Sequence, residues 1–177
     1  MERFFNSIEK ALENQDWYGA LSTSLTIPDI CGKLEHPELK VGPRYKRWYN
    51  EWLAHKYTAQ VGPRKMVHTF LTDEDCYGLR CSYLHEGGGE LEDKAKHSLE
   101  RFHFTIPPSW GECHNNRIDD NTLQLQIDKF CEDMIEAGRE WAKWIATHKP
   151  EVVDKMSNLL TIHGAEEGIP GMIRVVR

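Results

Sequence analysis

Asp73-Glu74-Asp75-Cys76-Tyr77-Gly78-Leu79-Arg80-Cys81-Ser82-Tyr83-Leu84-His85 is the stretch on which the fold turns. The acids near Asp73 or Asp75 suit a helix start, and Gly87-Gly88-Gly89 supplies the unhindered left-handed residues that end one. At about 100° per residue, Leu79, Tyr83, Cys76, Leu84, Tyr77 and Cys81 form one broad apolar arc, and Arg80 projects from near its middle. A guanidinium facing a core is costly unless it meets a carboxylate, a hydrated cleft or a ligand anion. His85 stands at the edge of the arc, one turn beyond Cys81, so the long Arg80 stem can swing its head into a cleft shared with the imidazole. The alternative is a structural Arg80 bonded to an acid, with His85 capping the last carbonyls of the helix.

Toward the N-terminus, Phe5, Ile8 and Leu12 recur at helical spacing between Phe4 and Asn14, where Asn6 or Ser7 would cap. Asp16 then precedes Trp17, Ala20, Leu21, Ser24 and Leu25, a second stripe running toward Leu34 that Pro28 is expected to kink or interrupt. Asp29 follows that proline among apolar residues and reads either as the partner of Arg80 or as a cap after the kink. Glu35 is a second acid able to seal Arg80. Past a loop from His36-Pro37 to Gly42-Pro43, a helix is expected from about Arg44 to Lys56. Its Arg44-Tyr45-Lys46-Arg47-Trp48-Tyr49 run allows base stacking beside phosphate-binding cations. The simpler reading is a buried seam of Tyr45, Trp48 and Trp52 with the cations in solvent. A further loop holds Gly62-Pro63.

Beyond the three glycines the period changes to two. Phe102, Phe104 and Ile106 alternate with polar residues, as do Leu123, Leu125 and Ile127, so the two segments are expected to pair as a small antiparallel hairpin. Helical spacing returns with Phe130, Met134, Ile135, Trp141 and Ile145. A weak helix near Val152 to Leu160 and a strand or tail at Met172 to Val176 complete the chain. The expected fold is mainly α: one domain over 1–177, a helical bundle with a small antiparallel β-hairpin insertion at 101–127 and a C-terminal extension at 150–177.

A chain of 177 residues with 40% hydrophobic content can build one real core. No apolar run approaches the roughly 20 residues needed to span a bilayer, and Met1-Glu2-Arg3-Phe4-Phe5 lacks a signal-peptide core, so a cytoplasmic protein without membrane contact is expected. Five cysteines, an odd number with no CxxC pair, fit a reducing compartment. The net charge of −6 argues against a surface coated in positive charge for non-specific nucleic-acid binding, though a local basic cleft is compatible with it.

A helical bundle in which a core helix ends in Arg, four residues, His resembles the HEPN superfamily, whose motif is R-x4-6-H; here it is Arg80 to His85, within helices from about Asp16 to His148. The resemblance implies a metal-independent endoribonuclease of toxin or antiviral-defence type, needing no cofactor, acting as a homodimer on RNA or nucleotide, and held in check by an antitoxin or regulatory protein. It implies Arg80 and His85 as the catalytic pair. Family motifs frequently place Asn, Asp or His after the arginine, where this chain has Cys81. The hairpin at 101–127 is an elaboration on a minimal bundle of that type.

On this reading an RNA 2′-hydroxyl attacks the adjacent phosphorus, His85 exchanges protons with the attacking or leaving oxygen, and Arg80 stabilises charge on the phosphoryl oxygens. Ser82 or Tyr83 would add a hydrogen bond, although Ser82 also reads as a surface residue and Tyr83 as a core one. Asp29 supports Arg80. Competing readings are a zinc site drawn from Cys81, His85, His103 and Cys113-His114, a Cys81 nucleophile, and a noncatalytic HEPN-like module that binds nucleotide or protein. An Arg80 sealed by Asp29 or Glu35 favours the last; an open cleft shared with His85 favours the nuclease.

Overall fold

The computed structural model describes residues 1–84, 102–117 and 122–162. His85, the Gly87-Gly88-Gly89 stop and the Met172 to Val176 segment lie outside them.

Phe5 and Ile8 carry the buried face of α1 (Glu2–Glu13), which no side chain caps. Asp16 then opens α2 (Trp17–Glu35) by accepting the Gly19 N–H at 3.0 Å, as its position before the apolar stripe predicts. Pro28 does not end this helix. Proline removes one donor, but Leu25, Ile27, Cys31 and Leu34 are buried on both sides of it, and that packing holds the segment helical.

The third helix, α3 (Val41–Trp48), starts three residues before the expected Arg44. Pro43 sits in its first turn, where an N–H would lack an intrahelical partner anyway. The chain continues as a π-helical turn (Tyr49–Leu53) and a 3-10 turn (Ala54–Tyr57), so the single expected helix is three stacked pieces. Tyr45, Trp48, Tyr49, Leu53 and Tyr57 all face inward, which makes this the aromatic wall of the core.

An antiparallel hairpin does occur, but at β1 (Thr58–Val61) and β2 (Met66–Thr69), with Thr58 opposite Thr69 and Val61 opposite Met66. The turn between them uses positive φ at Gly62 and Lys65. α4 (Asp73–Leu84) follows. Thr72, rather than an acid, caps it: its hydroxyl accepts the Asp75 N–H at 3.1 Å and donates to the Asp75 carboxylate at 2.8 Å.

The expected hairpin over 101–127 is a different object. β3 (Phe102–Thr105) runs parallel to β5 (Leu123–Gln126), and β4 (Asn116–Arg117) pairs antiparallel on the other side of β5, giving the order β3-β5-β4. A parallel pair needs a connection of about a dozen residues or more, which the chain from 106 to 122 supplies. Alternation fixed the faces of these strands and left their direction open.

From β5 the backbone enters α5 (Ile127–His148), the longest helix among the described residues, which packs against α1, α2 and the π turn. Lys149 leads into a short α6 (Pro150–Met156) that stops before the expected Leu160. One buried cluster joins all of this, from Phe5 and Leu25 through Trp48 and Leu79 to Leu125, Phe130 and Trp141. The fold is mainly helical, with a small antiparallel two-stranded sheet. Among the described residues no helix is long and apolar enough to cross a membrane.

Candidate functional site

α2, α3 and α4 meet around Asp29. Gly32, one turn beyond it, lets α3 approach so closely that a Cβ at that position would lie 3.0 Å from the Arg44 carbonyl oxygen. That contact sets the base of the Arg44 side chain beside Gly32, from where its guanidinium reaches Asp29. From α4, Arg80 leaves the apolar arc and donates to Asp29 Oδ2 at 2.6 Å, while Arg44 donates to Oδ1 at 3.3 Å and to the Leu39 carbonyl at 3.3 Å. All three charged side chains are about 14% exposed.

Among the described residues two guanidiniums therefore share one carboxylate, with one positive charge in excess. The Nε atoms of both arginines are buried and have no hydrogen-bond partner among the described residues. Burial is the largest single influence and would lower the Arg80 pKa, but the charge and hydrogen bond of Asp29 together with the neighbouring Cys81 outweigh it and raise that pKa above the ordinary arginine value. Arg80 is thus a permanent cation in a poorly hydrated place. Such a cluster can hold an anion with a bidentate fork, or simply clamp three helices together.

The supporting residues of the Arg80 motif are arranged the opposite way from their simplest sequence reading. Ser82 is buried and donates to the Gly78 carbonyl of its own helix at 2.9 Å. Tyr83 is only half buried and its hydroxyl donates to the Tyr18 carbonyl at 3.2 Å, tying the last turn of α4 to the first turn of α2. His85 follows Leu84 directly in sequence but lies outside the described residues.

Glu35 does not reach Arg80. Its side chain is only 5% exposed and accepts from Trp141 Nε1 and from Lys149 Nζ, each at 2.8 Å. Burial would raise its carboxyl pKa, yet those two hydrogen bonds prevail and hold it below the usual carboxylate value. Glu35, His36 and Glu51 are the potential metal donors that come together among the described residues, with ligand atoms within 4.8 Å of one another. Lys149 already occupies Glu35, and Arg47 bonds Glu51 at 2.9 Å. Both carboxylates have a cation from the chain itself.

The zinc donors considered from sequence that lie among the described residues are not assembled. Among the described residues no three-donor group includes Cys81, His103, Cys113 or His114. His114 instead accepts the Gln126 N–H through Nδ1 at 3.2 Å and turns Nε2 toward Asp133, 3.6 Å away. Cys81 is buried, so as a nucleophile it would have little access to substrate.

Arg44 is the residue that sequence reasoning missed. It stands first in a run of cations expected in solvent, and its only signal is the neighbouring Tyr45, whose full burial draws that end of α3 inward. No family model, curated protein or solved structure matches the chain.

Proposed function

We propose that the chain acts on RNA as a metal-independent endoribonuclease of HEPN-like type, Arg80 meeting the backbone phosphate and His85 moving protons. The observation that carries this reading is the excess positive charge where Arg80 and Arg44 share Asp29. A phosphodiester oxygen pair fits a guanidinium fork, and a site already short of one anion gains from it. The Arg80-x4-His85 spacing and the mainly helical fold support the rest. In the reaction the 2′-hydroxyl attacks the adjacent phosphorus, the 5′-oxygen leaves and a cyclic phosphate forms. An imidazole with an ordinary pKa of about 6.5 can take the first proton and return one to the leaving oxygen near neutral pH. A homodimer that joins two such motifs, a controlling antitoxin protein and a cytoplasmic setting belong to the same proposal.

The 2.6 Å bond between Arg80 and Asp29 favours a second reading, a noncatalytic HEPN-like module that binds nucleotide or a partner protein. A guanidinium fixed on a carboxylate has less freedom to follow charge developing on phosphorus. RNA incubated in EDTA with the parent, Arg80→Lys and His85→Ala separates the two. The nuclease reading expects cleavage by the parent and a loss of about 100-fold or more with His85→Ala. RNA binding without cleavage by the parent selects the second reading. Neither binding nor cleavage, or equal cleavage by all three proteins, removes the assigned site.

A further inference from the structure

α2 ends at Glu35 with His36 as its C-cap, and the π-helical turn brings Glu51 to the same place, so one imidazole and two carboxylates have ligand atoms within 4.8 Å of one another. The two inner donors are oriented from behind. Trp141 Nε1 holds Glu35 Oε2 at 2.8 Å, which leaves Oε1 facing His36 Nε2 across 3.7 Å. His36 in turn directs Nδ1 at Glu38 Oε1, 3.4 Å away, an arrangement that favours the proton on Nδ1 and a lone pair on Nε2. A carboxylate behind the remote nitrogen of an imidazole is how metal-ligating histidines are commonly oriented.

That Nε2 is buried and has no hydrogen-bond partner among the described residues. A lone pair so placed, opposite a carboxylate oxygen, calls for a cation between the two. Zinc bonds imidazole nitrogen and carboxylate oxygen at about 2.1 Å, so two donors on one tetrahedral ion stand about 3.4 Å apart. Nε2 and Oε1 need only a small inward shift to meet that spacing. The charge agrees with it. Glu35, Glu38 and Glu51 carry three negative charges against the two positive charges of Lys149 and Arg47, and the C-terminal end of α2 adds attraction for a cation.

We propose that Glu35, His36 and Glu51 bind a divalent first-row transition-metal ion, for which zinc is the chemical match, with water as the fourth ligand. The ion ties the end of α2 to the π turn. Lys149 and Arg47 leave to admit it, opening the path from solvent to Nε2. Arg47 and Glu51 form an exposed pair one turn apart, of a kind that contributes little. Lys149 is partly exposed, and its ammonium already stands 5.5 Å from the centre of the Trp144 ring, on which it settles when Glu35 is taken. The site does not include Arg80 and does not depend on the RNA reading.

The test strips the intact protein with EDTA, exchanges it into chelator-free buffer near neutral pH, titrates it with zinc chloride by calorimetry and records Tm with and without the ion. One equivalent should bind per chain and raise Tm, while magnesium at the same concentration should do neither. His36→Ala should weaken zinc binding at least about 10-fold, the loss that removing even an outer partner of a metal ligand brings. Glu51→Gln should do the same, and because it alters an exposed side chain it keeps the test decisive should His36→Ala fail to fold. Lys149→Met removes the competing cation and should tighten binding by up to about 5-fold, the worth of an ion pair at a partly exposed site. No zinc bound by the parent would overturn the site. So would affinities unchanged in both His36→Ala and Glu51→Gln, the result of zinc held by other cysteines and histidines of the chain.

Discussion

Replacing Asp29 with asparagine removes the one negative charge from between Arg80 and Arg44 without changing the volume of the side chain. Asp29 and both guanidiniums are each about 14% exposed, so water can screen the newly unpaired cations only in part. Breaking a fully buried ion pair by removing one partner costs about 3–5 kcal/mol; residual exposure reduces this to about 2–4 kcal/mol here. For a protein of this size each kcal/mol moves Tm by about 2–4 °C, so Asp29→Asn should melt roughly 4–16 °C below the parent. Arg80→Met and Arg44→Met should each cost less, because either one leaves Asp29 with a remaining cation. Of the two, Arg80→Met should cost more, since its bond is 2.6 Å against 3.3 Å. Urea unfolding followed by circular dichroism gives all three values on one scale. An Asp29→Asn protein within about 0.5 kcal/mol of the parent, the range of ordinary surface substitutions, would refute the shared-carboxylate account.

Glu35 gives stability a defined pH dependence. Its carboxyl is held below the ordinary value in the folded protein, so its contribution is complete above the unfolded pKa of about 4.3 and is lost as pH falls through the folded one. Unfolding curves of the parent and Glu35→Gln should differ most above pH 5 and converge in acid; a constant gap would contradict this. Gly32→Val should destabilise by about 1–3 kcal/mol, because its Cβ meets the Arg44 backbone rather than a side chain that can swing away. The thiols should be slow to react with Ellman's reagent until the protein unfolds, all five being buried, and burial pushes Cys76 and Cys131 up to about 12. Rapid release of several equivalents from native protein would show that the core opens readily.

Helices with one apolar stripe were legible because burial is periodic along them. Phe5 and Ile8 on α1, Leu21 and Leu25 on α2, and Met134, Trp141 and Ile145 on α5 all face the core as their spacing predicts. The hairpin of β1 and β2 carried no such signal, since every residue of β1 is exposed and neither strand alternates between core and solvent. Strand direction in the second sheet was hidden for a different reason: alternation repeats identically whichever way a strand runs. At the candidate site, a guanidinium on an apolar arc announced that Arg80 needs a partner, and Asp29, an acid within an apolar neighbourhood, was a nameable one. Arg44 was not, because its burial depends on a close helix approach at Gly32 that no local pattern encodes.

The measurement closest to the central claim is end-group analysis of RNA exposed in EDTA to the parent and to a folded His85→Ala protein. Attack by the 2′-hydroxyl predicts new 2′,3′-cyclic phosphate ends from the parent and almost none from the variant. Parent products lacking cyclic phosphate, or cyclic ends made equally well without the imidazole, would contradict it.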